Sequence, residues 1–85
     1  MPEISRFYGI IIYMFFSDHK PPHLHVKYQD YEAIIDFEGG IVHGDIPRRA
    51  LTLLFEWIDL HREELLDNWK RIEERRPLNK INPLP

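Results

Sequence analysis

Residues 23–37 read HLHVKYQDYEAIIDF. Leu24, Val26 and Tyr28 alternate with His23, His25 and Lys27, the two-residue period of a strand with unlike faces. A two-residue turn near Gln29-Asp30 leads to a second run, Tyr31 to Phe37, where Ala33, Ile35 and Phe37 alternate with Glu32, Ile34 and Asp36. Two such runs joined by a short polar turn predict an antiparallel hairpin. Glu38-Gly39-Gly40 is the next hairpin turn, and Ile41 to His43 a short further strand ended by Gly44.

Working back from His23, the turn SDHKPP (17–22) combines an Asp able to bond the backbone ahead of it with two prolines that hold an extended entry into the strand. Before it, Phe7 to Phe16 is uncharged and rich in Ile, Tyr and Phe, which predicts one strand. Ile10, Ile12, Met14 and Phe16 form one face, and Ile11, Tyr13 and Phe15 the other. With both faces apolar, this strand is central or its second face meets a partner.

After Gly44 the period changes. Asp45 is placed near a helix N-cap and Pro47 in the first turn. Leu51, Leu54, Trp57, Ile58, His61, Leu65, Trp69 and Ile72 then recur at helical spacing. The expectation is one long helix to about Arg75, with a break near His61 as the alternative. Glu63, Glu64 and Asp67 precede Lys70 and Arg71 at helix-pairing distance, and Pro77 stops the helix. The tail, residues 77–85, is extended and proline-containing, with Leu78, Ile81 and Leu84 every third residue. It packs back on the domain, reaches a neighbouring subunit or is disordered. The class is α+β: a three- to four-stranded antiparallel meander against one long amphipathic C-terminal helix.

At 85 residues the chain makes a single domain, 1–85, near the lower size limit for folding without staples. No cysteine is present, which excludes disulfides and thiolate metal sites. The apolar run Gly9 to Phe16 is too short to span a membrane and lacks the flanks of a signal peptide. A cytoplasmic protein without membrane contact is expected. Residues 1–46 hold three bases against seven acids, residues 47–85 eight bases against seven acids. Neither half has the composition of a chain that binds nucleic acid by phosphate neutralisation, and no DNA is predicted. Arg48, Arg49, Lys70, Arg71, Arg75, Arg76 and Lys80 could touch RNA or an acidic partner.

Three readings of the histidines follow. His23 and His25, two apart on a strand, project from one face about 7 Å apart. With His19 they could hold a divalent transition metal, an oxygen coming from Asp18, Asp36 or Asp45. As acid and base they could serve a ribonuclease-like reaction, with Arg48 or Arg49 on the phosphate at the helix start. Otherwise Tyr13, Phe15, His23, His25 and Lys27 form an exposed face that binds a partner, a homodimer partner included. This third reading leads; no cofactor is needed for it. His61 is expected at the core boundary, and Trp57 and Trp69 in the core. Whether His43 joins the His23/His25 face depends on strand register.

MPEISRFYGI (1–10), SDHKPPHLHV (17–26), YEAIID (31–36) and LHREELLDNW (60–69) together resemble the family called domain of unknown function 4160, small and mostly bacterial proteins of about this length. The resemblance implies no established activity. It implies a gene pair similar to toxin–antitoxin modules, hence a cognate small protein partner encoded next to this one.

Overall fold

A computed structural model describes residues 3–38 and 40–85. Five strands precede one helix: β1 (Glu3–Phe7), β2 (Ile10–Tyr13), β3 (His23–Tyr28), β4 (Tyr31–Asp36), β5 (Ile41–Gly44) and α1 (Arg48–Glu73). The strands form one antiparallel sheet in sequence order, and α1 lies across one face. The class is α+β, as the alternation and the later change of period predict.

The apolar segment expected as one strand from Phe7 to Phe16 holds the last residue of β1, a tight turn, the whole of β2 and the start of the following loop. Phe7 pairs with Ile10 across a two-residue loop, and Tyr8 and Gly9 have φ of 50° and 81°. Both central residues at positive φ give the turn whose twist matches the flanking strands. The signal is faint in the sequence because Tyr, rather than Asn or Asp, takes the first position. β2 then ends at Tyr13, and Phe16 is exposed instead of joining Ile10, Ile12 and Met14 in the core.

The β3–β4 hairpin follows the reading closely. Tyr28 pairs with Tyr31 around Gln29-Asp30, and Gln29 adopts a φ of 55°. At the next turn, Gly39 lies outside the described residues. The Asp36 carboxylate accepts the N–H groups of Glu38 (2.9 Å) and Gly40 (2.8 Å), so an Asx arrangement shapes this turn. Gly44 closes β5 with a φ of 85°, and a Cβ there would collide with the Glu32 carbonyl oxygen.

Helix α1 begins without a side-chain cap at Pro47. Asp45 does not cap it; its N–H donates to the Glu32 carbonyl at 3.1 Å, which ties it to the sheet. His61 has non-helical angles (φ −122°, ψ 21°) and marks a kink, so the alternative with a break at His61 describes the chain better than one straight helix. Past the kink, the Arg62 guanidinium donates to the Phe37 carbonyl at 3.2 and 3.1 Å and holds the second half against the sheet's end. At the C-terminus Arg76 N–H bonds Arg71 O and Arg75 N–H bonds Ile72 O. With Arg75 at a φ of 56°, this is a Schellman cap built on a residue other than Gly.

Sheet residues Phe7, Ile10, Ile12, Met14, Leu24, Val26, Ala33, Ile35 and Phe37 meet Ala50, Leu54, Trp57, Ile58, Leu65, Trp69 and Ile72 of the helix in one core. Phe7 and Trp57 stack at 5.3 Å between ring centres. The tail packs back on the domain. Ile81 and Leu84 are buried in the same core, and Asn68, fully buried, exchanges two hydrogen bonds with the Asn79 backbone (2.8 and 2.9 Å). Trp57 donates its indole N–H to Asn82 O at 2.8 Å, Tyr8 its hydroxyl to Pro85 O at 2.7 Å. Ile81 N–H reaches Ile4 O at 3.0 Å, where a bulge between Glu3 and Ser5 interrupts the β1–β2 ladder. No helix of the described residues is long and apolar enough to cross a membrane.

Candidate functional site

The turn after β2 folds onto itself through Asp18. Its backbone N–H donates to Phe15 O at 3.1 Å, and its Oδ2 accepts the Phe15 N–H at 3.1 Å. These two bonds draw the carboxylate inward, leaving the side chain 8% exposed, with Oδ1 turned to the start of β3. There His25 Nε2 donates to Asp18 Oδ1 at 3.0 Å, and His23 Nε2 stands 3.5 Å from the same oxygen. The other ring nitrogen of His23, Nδ1, lies 2.8 Å from Pro21 O, just after the cis Lys20–Pro21 bond. A carbonyl only accepts, so Nδ1 of His23 carries a proton, and its Nε2 faces the carboxylate. Phe15 meets the His25 ring edge-on at 4.6 Å; His23 packs between His25 (5.3 Å) and Trp69 (5.4 Å).

Asp18, His23 and His25 each offer one donor atom, all within 4.8 Å of one another. His19 is exposed and outside this group; it lines a depression with Asp18, Ile72, Glu73 and Arg75. Neighbouring side chains of a turn diverge, and the bond back to Phe15 N–H selects Asp18 for the inward position. The sequence offers this signal, an Asp three residues after a potential donor, although it does not rank Asp18 above His19.

Register answers the question about His43. Tyr13 pairs with His25, His25 with Ile34, and Ile34 with His43, so the four share a row on the sheet face away from α1. They line an open groove of about 460 Å³ with Phe15, Lys27 and Glu32. Of the residues expected to form an interaction surface, Tyr13, Phe15, His25 and Lys27 line this groove, while His23 sits at its end beside Trp69. Ile34, Glu32 and His43 join through pairings that only the register reveals. His43 is two strands from His25, about 10 Å, and outside the Asp18 group.

Arg48 and Arg49 are exposed at the first turn of α1, whereas His23 touches Trp69 near its far end. The 21 residues from Arg48 to Trp69 correspond to about 30 Å of helix. The structure therefore does not bring either arginine to the histidines. Arg71 is paired with Asp67 (2.9 Å) and Arg76 with Glu74 (2.7 Å). Elsewhere the Arg6–Glu3 pair at 2.8 Å lowers the Glu3 carboxyl and raises the Arg6 guanidinium from their ordinary ranges, chiefly through their hydrogen bond.

The fold and its site define a small α+β protein: a meander covered on one face by a kinked helix, an aromatic and histidine-lined groove on the other, and a carboxylate–imidazole cluster at the groove's end. The chain belongs to the family described as "Domain of unknown function (DUF4160)", which matches residues 9–70, from the β1–β2 turn into the last stretch of α1. No curated protein and no solved structure matches the chain.

Proposed function

We propose that the protein acts by binding another protein, as the interaction component of a toxin–antitoxin-like pair, and that it receives a segment of its cognate partner on the uncovered face of the sheet. The observation that carries this reading is the unequal treatment of the two sheet faces and edges. One face is sealed by α1, while Tyr13, Phe15, His25 and Ile34 are only half-buried on the other. At the edges, the tail bonds to β1 through Ile81 N–H and Ile4 O, whereas β5 is the outermost strand on the other side. Its Ile41 and Val42 are 45% and 60% exposed. An outer strand beside an aromatic and histidine-lined groove suits an extended partner segment: the ladder supplies main-chain hydrogen bonds and the groove takes alternate side chains.

The test is titration of the purified product of the neighbouring gene into this protein by calorimetry. Tight one-to-one binding is expected. Ile34→Glu in the groove and Val42→Lys on the edge should each weaken it at least about tenfold, since charge would be buried against apolar surface. Binding no stronger than that of an unrelated small protein would overturn the proposal, as would unchanged affinity in both variants. Whether this protein or its neighbour arrests growth is read from inducing each gene alone and both together.

A further inference from the structure

We infer that Asp18, His23 and His25 form a binding site for one divalent first-row transition metal ion of the zinc type. Two imidazoles and a carboxylate are the donor set such ions prefer. Around a tetrahedral ion with bonds of about 2.0–2.1 Å, donor atoms stand about 3.3 Å apart. The separations from Asp18 Oδ1, 3.0 Å to His25 Nε2 and 3.5 Å to His23 Nε2, bracket that value.

The surroundings are those of a ligand set held in place. A metal-bound imidazole usually donates its second N–H to a carbonyl or carboxylate, and a metal-bound carboxylate is itself hydrogen-bonded. His23 has that bond to Pro21 O and Asp18 has it from Phe15 N–H. Trp69 and Phe15 flank the two rings and limit their rotation. His23 Nε2 and Asp18 Oδ1 face each other at 3.5 Å, long for a hydrogen bond, and an ion between them bonds to both. Each ring binds the ion through its Nε2 lone pair, with its remaining proton on Nδ1. Three protein donors leave a coordination position for water or a partner's side chain. His25 also lines the groove proposed for the protein partner, so the two sites adjoin, and titration with the metal alone needs no partner.

Calorimetric titration of chelator-treated protein with zinc chloride tests the assignment, with cobalt(II) absorption as a second probe. The expected result is one ion per chain at micromolar affinity or tighter, a higher melting temperature in excess zinc, and cobalt spectra of a low-coordinate site. Asp18→Asn, His23→Gln and His25→Gln should each weaken binding about tenfold or more, while His19→Ala and His43→Ala bind as the unchanged protein does. Circular dichroism of each variant checks its fold, and the wild-type titration decides even where a variant fails to fold. Absence of saturable one-site binding to the wild type would overturn the inference. So would binding that survives loss of Asp18 and His23, or that disappears with His19 or His43.

Discussion

Asn68→Ala tests what fastens the tail. Asn68 is fully buried, and its side-chain amide both donates to Asn79 O and accepts from Asn79 N–H. Each such bond contributes about 0.5–1.5 kcal/mol net. Asn79 is exposed, so its freed backbone groups can turn to water, and no large penalty for stranded donors is added. The void left in the core raises the cost again. The sum is about 2–3 kcal/mol, a large share of the roughly 4–13 kcal/mol typical of 85 residues. With a urea m-value near 1.5 kcal/mol/M, the unfolding midpoint should fall by about 1.3–2 M. Asn68→Leu separates the two contributions, because it fills the space and makes neither bond. It should remain destabilised by at least about 1 kcal/mol, and protease should cut within residues 77–85 faster than in the wild type. If Asn68→Leu unfolds within about 0.5 kcal/mol of the wild type with its tail equally protected, the paired hydrogen bonds are not what secures the tail.

Two further outcomes follow from backbone conformation. Gly44→Ala, at a φ of 85° and facing the Glu32 carbonyl, should lower stability by about 2 kcal/mol or more and detach β5; a melting temperature unchanged within about 2 °C would contradict this. Arg75→Gly at the helix's left-handed cap should raise stability by about 0.5–1 kcal/mol, read as a higher urea midpoint, and a lower midpoint would show that the Arg75 side chain matters more than its backbone strain.

Alternation and period made the middle of this fold legible. From His23 to Phe37 each residue's face follows from the two-residue period, and from Ala50 to Ile72 the apolar stripe marks the helix. The β1–β2 hairpin was hidden because β1 mixes Glu, Ser and Arg with Ile and Phe around a bulge, and its turn puts a tyrosine at positive φ. The kink at His61 interrupts the helix without Pro or Gly nearby, so the stripe alone could offer it only as an alternative. At the candidate site, His23 and His25 were visible as a pair on one face, but Asp18 became their neighbour through its own turn hydrogen bonds. His43 reached the groove through register, and Arg48 and Arg49 were separated from the histidines by the length of a helix. Spacing along a chain reports neighbours within one element; neighbours across elements come from turns and register.

The bond from Ile81 to Ile4 has a consequence for assembly. A sheet with two free margins can be extended at both, and like units can then add one after another without limit. Here the tail lies against one margin and bonds to it through Ile81 N–H and Ile4 O, so the two margins are not alike. A strand added to this sheet would therefore meet β5 more readily than β1, whose Ile4 carbonyl is already taken by the tail.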